Sequence, residues 1–352
     1  MAGQARTRPE SSATAICRAP TGVGRCKEAT LAERTVETAL GAATVRAMAR
    51  DESIVVLGRA ASHGPFRVSA GAHERFGPAR VWDVPAGDGA VAGLAIGAAI
   101  GGLRPIVELG VAEQAVQALG QIADHAAKLH ARSGGRFRLP IVFAFASGMT
   151  RSGALHSQSF ENLFVHLPGL KVAMPATSDD AAGLMVGAIE DDDPVVFVLD
   201  KRVARHSGDA PDDDARPLPF GQAIVHRSGR DVTIVATGWM VHEALRAADD
   251  LAAARISAEV IDPRTLVPFD LGTIVQSVAK TGRLVVAHEA ATFAGFGAEI
   301  VAAVCEAALP TLKAPPRRVG LPFVVPPADV QAIALILPSH RDIATAALEI
   351  CR

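Results

Sequence analysis

The sequence predicts an α/β protein built from two doubly wound domains, and three observations carry that prediction. Runs of five to seven residues that are apolar at nearly every position recur along the chain, as strands buried on both faces of a parallel sheet require. Between them lie Ala-rich stretches of helical composition. The third is size: 352 residues exceed one ordinary domain, and a composition of 49% hydrophobic and 20% charged residues supplies apolar side chains for two cores.

The elements follow in order. Residues 1–30 mix Arg, Pro, Ser, Gly and Thr without a continuous apolar segment and read as a tail, neither a signal peptide nor a membrane span. The tail is basic and acid-poor, as organelle transit peptides are, but has no amphipathic face. A first domain is expected over 31–200, with strands at 54–58, 105–109, 139–145, 170–174 and 194–199. Its helices are expected over 90–100 and 113–129, both rich in Ala, Leu, Ile or Gln. Residues 201–220 (KRVARHSGDAPDDDARPLPF) break the rhythm with charge and proline and read as a linker. The second domain, 221–352, should hold strands at 231–236, 257–262 and 283–288, with helices near 241–254, 270–279 and 297–308.

Charge narrows the partners. A formal net charge of −2 offers no basic stripe for nucleic acid or an anionic membrane, so small molecules and proteins are the expected ligands. Cys17, Cys26, Cys305 and Cys351 have no C-x-x-C spacing and suggest neither zinc nor a disulfide framework, which makes a reducing cytoplasm the expected location.

The stretch Gly87-Asp88-Gly89 invites three readings. A metal-diphosphate loop of the thiamine type needs a second oxygen ligand, usually Asn, one helix and strand downstream; the only asparagine, Asn162, falls in another element. A dinucleotide fingerprint needs G-x-G-x-x-G, and Gly87, Gly89 and Gly93 are spaced one residue too far. A strand-to-helix turn with Asp88 capping the following helix is the plainest reading.

Wider context comes from short motifs in a fixed order. They include Phe76-Gly77-Pro78, Gly93-Leu-Ala-Ile-Gly-Ala-Ala99 with Gly102-Leu-Arg-Pro105, Ser133-Gly-Gly135, Gly153-Ala-Leu-His-Ser-Gln158 and His166-Leu-Pro-Gly-Leu-Lys-Val172. Val260-Ile-Asp-Pro-Arg-Thr-Leu266, His288-Glu-Ala290 and Gly295-Phe-Gly-Ala-Glu-Ile300 continue the series. Over residues 31–352 this order resembles the β subunit of the decarboxylating component of 2-oxo acid dehydrogenase complexes, a transketolase-like family that binds thiamine diphosphate. The resemblance implies a transketolase-like pyrimidine-binding domain followed by a transketolase C-terminal-like domain. It implies oxidative decarboxylation of a 2-oxo acid with acyl transfer to lipoamide. Its implied partners are an α subunit that holds the diphosphate and Mg²⁺, a second β chain in an α2β2 assembly, and a dihydrolipoyl acyltransferase core.

The same resemblance implies roles for single residues. Asp88 stands where the family has a Glu that hydrogen-bonds a pyrimidine nitrogen of the cofactor, and is one methylene shorter. His156 matches the histidine that assists acyl transfer, a task suited to an imidazole; its plain alternative is a hydrogen-bonded loop histidine. Ala86, Gly110, Val111 and Gln114 occupy pocket positions where the family has larger or aromatic side chains, so a wider, wetter pocket is expected. Arg59 replaces an acid of a usual Gly-Glu-Asp. A structural potassium ion is implied near Pro140, Ile141, Ala188, Asp191 and Asp193. Glu113, within Ala112-Glu113-Gln114, looks like the catalytic acid of transketolases but falls one strand too late and suits a helix start. Asp262 with Arg264, and His288 with Glu289, read as interface salt bridges.

Two other functions remain open at this level. The departures around Asp88 also suit a catalytically impaired β-like subunit with a structural or regulatory role. A transketolase-type half acting on sugar phosphates would need a basic cluster, and none stands out along the sequence.

Overall fold

A computed structural model describes residues 34–63, 67–150, 153–208 and 215–352; the expected tail at 1–30 lies outside the described residues. The first half of the chain supplies strands β1 (Ile54–Gly58), β2 (Val81–Asp83), β3 (Arg104–Val111), β4 (Val142–Ser147), β5 (Lys171–Ala173) and β6 (Val195–Asp200). The second supplies β7 (Ile224–Arg227), β8 (Val232–Ala236), β9 (Ala258–Asp262), β10 (Thr265–Val267), β11 (Leu284–Ala291) and β12 (Arg317–Leu321). The principal helices are α1 (Val36–Arg50), α2 (Asp88–Ile100), α3 (Ser178–Glu190), α4 (Met240–Ala253), α5 (Leu271–Thr281), α6 (Phe296–Ala308), α7 (Val330–Ile336) and α8 (His340–Cys351).

Two large sheets form, each with helices on both faces, beside a two-residue antiparallel ladder of Arg34–Thr35 with Ser207–Gly208. The first runs β10-β5-β6-β4-β3-β1-β2 and is parallel except for β10, which pairs antiparallel with β5. The second runs β12-β11-β8-β9-β7 and is parallel except for its edge strand β7. Alternation along β1 explains why its run is apolar throughout. Val55 and Leu57 enter a cluster with Val91 and Ile96 of α2, while Ile54 and Val56 enter another with Leu40 of α1 and Leu184 of α3. Helices end where capping allows: Thr35 caps α1 by accepting from Thr38 N at 3.3 Å, and Thr177 caps α3 by accepting from Asp180 N at 3.2 Å.

The expected strands and helices appear with shifted ends. The helix expected at 113–129 is a helical path from Ala112 to Arg132 containing a π-helical turn at Ile122–Ala126. The stretch expected as a linker opens with a short helix, Lys201–Ala204, whose Lys201, Val203 and Ala204 are buried; its charged residues resemble a solvated segment only until their partners are known. Strand β10, from the second half of the chain, extends the first sheet, and one apolar cluster joins Leu109 and Phe143 of the first sheet to Val235 and Val286 of the second.

Candidate active site

The strand order of the first sheet reverses between β1 and β3, and ligands of open α/β sheets bind at the carboxyl ends of strands flanking such a point. A cavity of about 810 Å³ lies there, lined by Asp88, Glu108, Gly110, Val111, Gln114 and His156 among others. Five of the residues nominated from sequence therefore line one cavity: Asp88, Gly110, Val111, Gln114 and His156. Ala86, half-buried on the turn before α2, is not among the lining residues.

Asp88 opens α2, but the cap is Gly87 and the Asp88 side chain makes no capping bond, which corrects the capping reading. It is 2% exposed, and burial pushes its carboxyl above the ordinary carboxylate range, partly offset by Arg59. Its Oδ1 lies 3.8 Å from Arg59 Nε, while Oδ2 is buried without a hydrogen-bond partner among the described residues. An orphaned carboxylate oxygen on a cavity wall is costly unless a ligand donates to it. The donor of a protonated ring nitrogen fits.

Glu108, absent from the residues nominated by sequence, lines the same cavity. Its Oε1 accepts from Ser69 N at 2.9 Å and Ser69 Oγ at 2.7 Å, and burial pushes its carboxyl up to about 7. Gly58 pairs with Glu108 across the ladder, where a Cβ would lie 2.6 Å from the Glu108 carbonyl oxygen. Gly110 has φ +69°, the left-handed region, and a Cβ there would collide with Gln114 Oε1, which accepts from Val111 N at 3.2 Å. The two departures are thus one unit: Gln114 folds back over the space that a side chain at 110 would need.

His156 lies on a short 3-10 turn, Ala154–His156. Its carbonyl accepts from Thr150 Oγ1 at 3.1 Å and from Lys201 Nζ at 2.9 Å. Lys201, 3% exposed, also donates to Gly148 O at 3.2 Å, and burial pulls its ammonium below the ordinary lysine range. Glu289 of β11 accepts from Arg202 and from Met149 N rather than pairing with His288, whose Nδ1 lies 3.1 Å from Ala290 O; the acid thereby joins the second sheet to the loop that carries the cavity wall. Glu289 is 1% exposed, and burial beside Asp200 pushes it up to about 7. The expected Asp262–Arg264 salt bridge is not what forms: Arg264 gives Asp262 Oδ1 its backbone N–H at 2.7 Å and turns its guanidinium to Asp180, 2.8 Å away.

Arg59, Arg67, Lys201, Arg202 and Arg205 all line the cavity. The basic cluster that the sequence does not display is assembled from two distant segments, 59–67 and 201–205, and no local signal announces it. Glu113 is absent from the lining; its Oε1 accepts from Gln158 N at 3.2 Å. The residues nominated for potassium gather at the opposite end of the first sheet. There Asp191 accepts from Lys171 Nζ at 2.6 and 2.8 Å, Asp193 lies 3.2 Å from Arg138, and Ile141 O accepts from Val195 N at 2.8 Å.

Comparison with known proteins follows the same division of the chain. The transketolase pyrimidine-binding domain model matches residues 32–206, and the transketolase C-terminal domain model matches 221–343. The chain is thus of the transketolase class. The pyruvate dehydrogenase E1 component subunit beta of Rickettsia bellii is 43% identical over 320 residues, 90% of this chain and 98% of the relative. The 2-oxoisovalerate dehydrogenase subunit beta of Bacillus subtilis is 41% identical over 290 residues, 81% of this chain and 88% of the relative. A solved structure described as a split gene transketolase, inactive beta4 tetramer, superposes with a TM-score of 0.73 at 26% identity, covering 90% of this chain and 97% of that one. The chain belongs to the family of 2-oxo acid dehydrogenase E1 β subunits.

Proposed function

We propose that this chain is the β subunit of a heteromeric, thiamine diphosphate-dependent 2-oxo acid dehydrogenase. The observation that carries the reading is Asp88: a carboxylate 2% exposed at the first turn of α2, with one oxygen unpartnered on the wall of an 810 Å³ cavity that also receives His156. Bound thiamine diphosphate would supply an acidic thiazolium carbon and an electron sink for decarboxylation. Asp88 would accept a hydrogen bond from its pyrimidine, with Gly110, Val111 and Gln114 beside the ring. His156, at the exposed rim, would hold a proton or deliver it to the sulfur released as the acyl acceptor's disulfide opens. An α subunit would hold the diphosphate and Mg²⁺, two chains of each kind would assemble as α2β2, and the acyl group would pass to a dihydrolipoyl acyltransferase core. A potassium ion near Pro140, Ile141 and Ala188 would rest on backbone carbonyls, since Lys171 bridges the Asp191 and Asp193 carboxylates. No helix among the described residues is long and apolar enough to cross a membrane, and the cytoplasm is the location proposed.

The test is calorimetric titration of thiamine diphosphate with Mg²⁺ into the complex of this chain and its α partner, followed by 2-oxo acid turnover with an artificial electron acceptor. Saturable binding and turnover are expected. Asp88→Glu should tighten binding or raise turnover, because it restores about 1.5 Å of reach. A correctly assembled complex that binds no cofactor would replace this reading with the second one. In that reading the subunit is structural, as favoured by the shortened acid and by Arg59 beside it.

A further inference from the structure

Away from the cavity, three chemistry-bearing side chains from different elements meet where the two sheets join. Asp180 lies in the first turn of α3, Asp262 ends β9, and His226 sits on the edge strand β7. One ligating atom from each lies within 4.8 Å of the other two. Asp262 is 0% exposed, and its Oδ2 has no hydrogen-bond partner among the described residues. His226 Nε2, also buried and without such a partner, faces that oxygen from 3.8 Å, beyond hydrogen-bond length.

We propose that Asp180, Asp262 and His226 bind a divalent transition-metal ion of the zinc class, which ties helix α3 of the first sheet to strands β7 and β9 of the second. The surrounding hydrogen bonds orient the ligands without consuming the two free atoms. Arg264 N donates to the other oxygen of Asp262 at 2.7 Å. Arg264 Nη1 and Thr177 Oγ1 donate to the two oxygens of Asp180 at 2.8 and 2.9 Å, each of which retains a lone pair. Ligating carboxylates held by such outer donors are the usual construction of a metal site. Arg264 adopts φ +60° while presenting its backbone N–H to one carboxylate and its guanidinium to the other.

Charge and ligand type select the ion. Two carboxylates, one guanidinium and a neutral imidazole sum to −1, which a divalent cation more than balances. One imidazole nitrogen with two carboxylate oxygens suits Zn²⁺ or its neighbours, whereas Mg²⁺ and Ca²⁺ prefer all-oxygen sites. Ligand distances of about 2.0–2.2 Å require the three atoms, now within 4.8 Å of one another, to draw in around the ion, and water would complete the shell.

The test uses the full-length chain in complex with its α partner, free of affinity tags and stripped with chelator. Calorimetry with Zn²⁺, and visible absorption with Co²⁺, should show one ion per chain and a rise in melting temperature. His226→Gln, on the edge strand, and Asp262→Asn should each weaken uptake on the order of 100-fold. Stoichiometric uptake unchanged in His226→Gln, or no uptake by the wild-type complex, overturns the proposal. Metal uptake and melting are read without substrate, so the result is independent of the enzymatic reading. Should Asp262→Asn fail to fold, the His226 variant alone decides.

Discussion

Arg59 Nε stands 3.8 Å from Asp88 Oδ1, and the arginine is half exposed while the aspartate is 2% exposed. The guanidinium opposes the effect of burial on a carboxylate that no other described residue bonds through its second oxygen. Arg59→Ala should therefore raise the Asp88 pKa further. The acid limb of the kcat/KM profile should move toward higher pH, with activity lost below it and little changed above. A limb that stays in place would mean that Asp88 does not govern turnover.

Gly110 and Gln114 should behave as a coupled pair. Gly110→Gln alone puts a side chain at φ +69° into the space held by Gln114 Oε1, and is expected to destabilise the chain by about 1–3 kcal/mol. Adding Gln114→Phe removes that collision and should recover part of the loss. Urea midpoints for the two singles and the double give the coupling, and strict additivity would contradict it.

Glu108 makes stability depend on pH in a defined direction. Its carboxyl is near 7 in the fold against 4.5 in an unfolded chain, so between these values the native state holds a proton that the unfolded state has released. The stability it contributes is complete below pH 4.5 and disappears as pH rises through about 7. Relative to Glu108→Gln, the wild-type protein should lose about 1–3 kcal/mol between pH 5 and pH 8 in urea unfolding. Parallel pH curves would show that the native environment does not favour the acid form.

Glu289 and Arg202 join the sheets through a pair of which the glutamate is 1% exposed. Glu289→Ala leaves the Arg202 guanidinium and the Met149 N–H without that acceptor and should cost about 3–5 kcal/mol. The paired replacement Arg202→Met with Glu289→Leu should recover most of it, because the cost lies in the stranded charge. Denaturant midpoints of the three variants decide.

Fold and site were legible to different depths. Strands such as β1 and β6 show in the sequence because burial on both faces demands apolar residues at consecutive positions. The short strands β7, β10 and β12 do not: three to five residues, partly exposed or charged, carry no such pattern. Asp88 and His156 stand out only through the motifs around them. Lys201 and Arg202 look like the start of a linker, yet Arg202 meets its acid 87 residues away.

By itself, the sequence determined the α/β class, the two-part organisation, the family and the nomination of Asp88, Gly110, Val111, Gln114 and His156. These rest on local composition and on the order of motifs, which survive in one dimension. Only the tertiary structure decided that Glu108 and five basic side chains line the same cavity, that Gln114 occupies the space beside Gly110, and that Asp180 reaches Arg264 across 84 residues to meet Asp262 and His226. Which distant side chains meet, and whether water is excluded around them, is set by how helices and sheets pack; desolvation then fixes their charge and chemistry.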